Sequence, residues 1–207
     1  MRHSNELRLV CKELRETVMD IPWMDAESKI KGSLRARRAA FPAARAVNVS
    51  NRADLVDTVF VHICGRVRAF RGKAPTRLHT LNTMRCGSVA EAAFGHLRGI
   101  QSLNMSYCNQ VTITDTAFVH LRGIHTLDMS GCNQATITDV DFVHLRGIHS
   151  LNMYGFNQET ITDVDIANLV GIAHLITIRC RREIRVFAAE LLGDEYESED
   201  EDDVDED

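Results

Sequence analysis

Residues 99–122, GIQSLNMSYCNQVTITDTAFVHLR, run straight into residues 123–146, GIHTLDMSGCNQATITDVDFVHLR, a near-copy in the same order. A catalytic constellation is needed once in a chain, whereas a phrase reused at constant spacing is a building unit. The step is 24 residues, kept by Leu97, Leu121, Leu145 and Leu169 and by Gly99, Gly123, Gly147 and Gly171. Ile100, Ile124, Ile148 and Ile172 follow those glycines, and Leu103, Leu127, Leu151 and Leu175 hold the same interval. Ile113, Ile137 and Ile161 each lead a Thr-Asp pair. Self-similarity at such a period is the mark of a stacked-repeat architecture.

Within one unit the apolar spacing changes twice. Leu103-x-Met105 alternates, which suits a short strand with both side chains on one face. Phe118 and Leu121 stand three apart, which suits a helical turn, with Thr114 or Asp115 ahead of it as N-cap and Gly123 where it stops. Each unit therefore reads as strand, turn, short helix and return. Ile100, Leu103, Met105, Cys108, Val111, Ile113, Phe118 and Leu121 are the expected core of one unit. So few apolar side chains do not offset the conformational entropy of two dozen ordered residues, so several units must stack. Weaker copies extend upstream: RLHTLNTMRC at 77–86 echoes GIHTLDMSGC at 123–132, FVHICGRV at 60–67 echoes FVHLRGIH at 118–125, and AVNVS at 46–50 reads as a further strand.

The bulk numbers place limits on function. No apolar run approaches the ~20 residues of a membrane span, and the N-terminal MRHSNELRLV lacks a secretory signal, so an intracellular protein, cytoplasmic or nuclear, is expected. Residues 194–207, DEYESEDEDDVDED, hold 11 of the 29 acidic residues and no base, leaving 18 acids against 24 bases in the rest. Such a block is expected to be a disordered, solvated tail. The six cysteines show no CxxC pair, which argues against a zinc site or a disulfide framework. Cys86, Cys108 and Cys132 recur at one slot of the unit, Phe156 replaces them once, Cys180 falls in register or one column late, and these cysteines are expected to be inert core thiols. His96, His120 and His144 form one column and His125 and His149 another; recurrence alone explains them without a metal. Asn109, Asn133 and Asn157 are expected to form a turn-stabilising ladder.

Ile100-x-x-Leu103-x-Met105-x-x-Cys108 resembles the leucine-rich-repeat phrase LxxLxLxxN/C, and the Cys with Ile-Thr-Asp resembles its cysteine-containing subtype. That resemblance implies an α/β fold, a right-handed leucine-rich-repeat solenoid with parallel short strands on one wall and short helical turns outside. The repeats occupy 47–193, clearest over 77–180. Residues 1–23 contain NELRLVCKELRETVMDIPW, an amphipathic helix that resembles the second half of an F-box through Leu7, Val10, Cys11, Leu14 and Trp23. The family's first half has no counterpart before Leu7, so this helix is either an adaptor-docking element or a cap on the end of the array. Between them, 24–46 reads as a basic helical linker, a solvated face carrying Lys29, Lys31, Arg35, Arg37, Arg38 and Arg45. Its one aromatic, Phe41, gives little for nucleic-acid stacking.

A binding protein is expected, with no catalytic group and no cofactor. The F-box/leucine-rich-repeat resemblance implies a substrate-recognition adaptor of a cullin–RING ubiquitin ligase, docked on a Skp-family protein and gripping a protein substrate as a monomer. The alternative is a leucine-rich-repeat scaffold without ligase recruitment, either a histone-binding acidic-tail protein or a decoy. Near-identical adjacent units fit the paralogue-rich families of amoebae and their giant viruses. The expected grip is the open wall of the strands, through Ser102, Asn104, Ser106, Thr126, Asp128, Ser130, Ser150, Asn152 and Tyr154.

Overall fold

The computed structural model describes residues 24, 29–40, 43–64, 77–138 and 142–193. Leu7, Val10, Cys11, Leu14 and Trp23 of the F-box-like helix, and the acidic residues 194–207, lie outside the described residues.

Six three-residue strands, β1 (Ala46–Asn48), β2 (Thr80–Asn82), β3 (Ser102–Asn104), β4 (Thr126–Asp128), β5 (Ser150–Asn152) and β6 (His174–Ile176), form one parallel sheet in chain order. The register repeats the 24-residue period from Leu103 through Leu127 and Leu151 to Leu175, and Leu81, 22 residues before Leu103, sits beside them in the same column. Helical segments follow the strands: α1 (Leu34–Ala40) precedes the sheet, then come α2 (Asp57–Cys64), α3 (Glu91–Phe94), α4 (Asp115–Phe118), α5 (Asp163–Ala167) and α6 (Arg182–Leu192). Tight 3₁₀ turns occupy Val119–Leu121 and Phe142–Leu145. Neighbouring helical segments touch each other in sequence, giving a helical row opposite the strand row, and α6 packs on α5 at the end.

The core lies between the two rows. From the strands come the buried leucines and Met105, Met129 and Met153; from the helical side come Phe60, Phe94, Phe118 and Phe142, one to a unit. Each such side chain contributes roughly 1.5–3 kcal/mol on burial. Residues 29–40 belong to the same core and are not a detached linker: Ile30 and Leu34 are buried in it, and Lys29 forms a parallel bridge to Asn48. Arg38 is also buried and donates to the Ala44 carbonyl, whereas Lys29, Lys31, Arg35 and Arg37 are exposed.

One expected core member is misplaced. Val111 is 71% exposed, because the chain there is an irregular turn whose outer position is taken by Ala135 and Glu159 in the next units. Asp115 also differs from its expected role. No side-chain bond caps α4 at Thr114; instead the Asp115 carboxylate accepts the Thr138 N–H (2.9 Å) and hydroxyl (2.8 Å) of the following unit. Asp57 does the same for the Ala90 N–H at 2.8 Å.

Such bonds between units recur at every level. Met105, Met129 and Met153 donate their N–H to the next strand's Asp128, Asn152 and Ile176 carbonyls. Thr136 and Thr160 hydroxyls donate back to the Ile113 and Ile137 carbonyls. Asn109 Oδ1 accepts the Asn133 N–H, and Asn133 Oδ1 accepts the Asn157 N–H, a ladder along the turns. The cysteines complete the set. Cys86, Cys108, Cys132 and Cys180 donate S–H to the carbonyls of Val49, Thr83, Met105 and Met153, all one unit back and 3.0–3.2 Å away. Cys180 is thus in register with the others, two periods after Cys132.

Burial pushes the thiols of Cys108 and Cys180 up to about 11 and those of Cys132 and Cys64 up to about 12. Native Cys108, Cys132 and Cys180, which are buried, are therefore expected to resist alkylation at pH 8 until the chain unfolds, as read by peptide mapping. The folded chain holds these protons more tightly than the unfolded one, whose thiols titrate near the ordinary 9.0. Stability is then expected to fall as pH rises above that value.

Candidate interaction surface

In β2–β5 the side chains flanking the buried leucine are half-exposed on the open face of the sheet, in β6 they are exposed, and in β1 they are buried. Three columns cross this face. Ser102, Thr126 and Ser150 line the first, half-exposed as expected.

The second column, Asn104, Asp128 and Asn152, is committed to the fold. Each Oδ1 accepts the N–H two residues on, from Ser106, Ser130 and Tyr154, at 3.0 Å; Asn48 and Asn82 do the same for Ser50 and Met84. These are Asx turns, in which a side-chain oxygen substitutes for a backbone acceptor and bends the chain. Asn104 Nδ2 also donates to Asp128 Oδ2 at 3.0 Å.

Ser106 and Ser130, expected to face outward, are buried. Their hydroxyls donate to Asn104 and Asp128 Oδ1 at 2.7 and 2.8 Å. The strict alternation of a strand ends at residue 104 of the unit, and the turn folds the next serine inward. Tyr154 takes that slot in the following unit and is half-buried, with the Arg179 guanidinium 5.7 Å from its ring centre.

The outermost feature is the residue after this slot. Asn51, Arg85, Tyr107, Gly131, Gly155 and Arg179 all have left-handed backbone conformations, with φ between 55° and 74°. Glycine adopts this region without strain, and a side chain there is held at a cost of order 1–2 kcal/mol. Gly131 and Gly155 are thus the unstrained solution, and Arg85, Tyr107 and Arg179 depart from it. Tyr107 is 45% exposed, and the Arg85 guanidinium lies 4.8 Å from its ring centre. On its other side the ring lies over Gly131, where a Cβ would fall 2.7 Å from two ring carbons. Arg85, Tyr107, Tyr154 and Arg179 form a ridge along the turn edge. Arginine and tyrosine are the residue types that most often carry binding energy at interfaces. The sequence signal for it was a bulky residue at a position where adjacent copies have glycine.

Histidines occupy two other places. At the strand entry His125 and His149 stack with ring centres 4.5 Å apart, and His174 meets His149 edge-on at 5.3 Å. On the helical side each imidazole joins two units as an acceptor: Arg98 donates to His120 Nδ1 at 3.1 Å and Arg122 to His144 Nδ1 at 3.1 Å. Arg146 finds Asn168 Oδ1 at the next step, 2.8 Å away. Among the described residues no group of three or more His, Cys, Asp or Glu is placed to hold a metal ion. No helix there is long and apolar enough to cross a membrane. The last strand breaks the polar pattern, with exposed Ile176 and Ile178 where earlier units carry Asn, Asp, Ser or Tyr.

No protein-family model matches the chain, and no curated protein matches it.

Two measurements follow from this geometry. Gly131→Ala is expected to lower the unfolding temperature more than Gly155→Ala, since both strain the backbone but a Cβ at 155 meets nothing within 4 Å. Adding Tyr107→Gly should close the gap, a coupling that a double-mutant cycle reads directly. The second concerns His144, whose imidazole is held below its ordinary value first by desolvation and then by the Arg122 charge. The unfolded chain then binds the proton more readily, so stability is full above the unfolded value of about 6.5 and falls as pH drops below it. His144→Asn, which copies the Arg146–Asn168 step, should reduce the loss in unfolding temperature between pH 7 and pH 5.

Proposed function

We propose that the chain is a non-enzymatic protein-interaction module, a right-handed leucine-rich-repeat solenoid that presents one ridge to a protein partner. The observation that carries this reading is Tyr107. It keeps a strained left-handed backbone, stands exposed, and is braced by Arg85 on one side and Gly131 on the other. Strain held at an exposed position, where the unstrained residue occurs in the next copy, supports a role in contact rather than in folding. The stacked, in-register units support the solenoid: each buries its neighbour's leucine column and leaves one wall open.

The F-box-like helix gives the module its place. In this reading Leu7, Val10, Cys11, Leu14 and Trp23 dock a Skp-family adaptor of a cullin–RING ligase, while the ridge takes the protein to be ubiquitinated. The scaffold or decoy alternative shares the ridge and differs only in what residues 5–23 do.

A pull-down of the full chain with a Skp-type adaptor separates the two. Capture that is lost in Leu7→Ser/Leu14→Ser, with unfolding temperature unchanged, is the expected result. A variant that loses stability while the parent shows no capture identifies the helix as a cap and removes the ligase reading. Tyr107→Ala should leave adaptor capture intact.

A further inference from the structure

We infer that the ridge is also the docking site of the chain's own acidic residues 194–207. Arg85 and Arg179 stand at its two ends, and neither forms an ion pair among the described residues; each guanidinium lies over a tyrosine ring instead. Between them the column reads Tyr107, Gly131, Gly155, with no carboxylate. Four inter-strand steps of about 4.8 Å separate the two arginines by roughly 19 Å. Above Gly155 the surface is open. Positive charge at both ends, with the Tyr107 ring over Gly131 and open backbone at Gly155 between them, suits an extended acidic segment, because guanidinium–carboxylate bonds are charge-assisted and bidentate.

The segment with matching charge begins at the next residue after Gly193 and has 11 acids in 14 residues. Helix α6 starts three residues after Arg179 and spans 11 residues, about 16 Å. Fourteen extended residues reach about 46–50 Å, enough to return to Arg179 and cross the ridge to Arg85. Two other destinations fit less well. The 560 Å³ groove between α5 and α6 sets Arg181 and Arg182 against Asp163, Glu183 and Glu190, so it has no preference for an anion. Lys29 and Lys31 lie beyond β1, past Arg85 at the far end of the sheet.

A tail seated on the ridge competes with any protein that needs Arg85, Tyr107 and Arg179. The module therefore carries its own competitor, and its grip strengthens as salt or an acid-binding partner draws the tail away. This rests on the ridge assigned above, not on the ligase reading.

Nuclear magnetic resonance on the full chain tests it, comparing low salt with about 500 mM salt, where charges are screened beyond about 4 Å. In the wild type the tail amides and the Arg85 and Arg179 Nε–Hε signals should shift together between the two conditions, independently of protein concentration. In Arg85→Ser/Arg179→Ser the salt-dependent shift of the tail amides should fall several-fold, while Lys29→Ser/Lys31→Ser keeps the wild-type response. The inference is overturned by an unchanged tail response in the arginine variant, by its loss in the lysine variant, or by a response that grows with protein concentration. Adaptor capture by the arginine variant, measured in parallel, reports on the ligase reading separately.

Discussion

Among the described residues, the repeated units leave polar groups that only a neighbouring unit satisfies. The N–H after each strand finds its acceptor on the next strand, the cysteine thiol finds its acceptor on the previous unit, and the aspartate at the head of a helical turn serves the neighbour's threonine. A buried donor left without a partner costs about 1–3 kcal/mol, so a unit removed from its neighbours loses its bonds as well as its apolar contacts. The fixed register of the sheet follows from this. A slip of one residue along one strand would break the thiol, asparagine and threonine bonds together.

The same constraint decides which residues remain free to act outward. Asn104, Asp128 and Asn152 stand on the open wall, yet their oxygens close the turns beneath them. The serines after them are drawn in as second donors. What remains outside is the residue at the crest of each turn, whose backbone is set by the fold and whose side chain is not. At that crest Arg85 and Arg179 have fixed backbones, and their guanidinium groups lie 4.8 Å and 5.7 Å from the ring centres of Tyr107 and Tyr154.

Much of the architecture was legible beforehand, for a definite reason. Leu103 and its equivalents, the phenylalanines and the cysteine slot recur and also alternate or step as one face of a strand or helical turn, which points them at a shared interior. Recurrence alone does not, since Val119 and Val143 recur and are exposed. The misreadings fall where periodicity carries no information. Val111 lies in an irregular turn with no alternation to place it. Ser106 and Ser130 were assigned by extending strand parity one step beyond the strand's end. Asp115 resembles a local cap because sequence spacing shows which residues are near along the chain, not which turn of another unit lies alongside. Tyr107 is visible only as an exception to its copies. Ser102, Thr126 and Ser150, and Asn104, Asp128 and Asn152, stand side by side as two columns, but which side chains are available depends on hydrogen bonds that no spacing rule expresses.

The ladder of bonds one unit back has a further consequence for how such a chain changes over generations. Because the Asn109–Asn133 and Asn133–Asn157 steps repeat and Cys132 and Cys180 each reach the methionine carbonyl one unit back, a gene duplication that inserts another whole 24-residue segment there meets ready-made partners above and below. Units of other lengths fit only by placing their extra or missing residues away from the strands, as the 34- and 22-residue steps from Val47 to Leu81 and from Leu81 to Leu103 do while keeping register. Lengthening by copying whole segments needs no such adjustment, and Phe156, Ile176 and Ile178 mark where the pattern lapses.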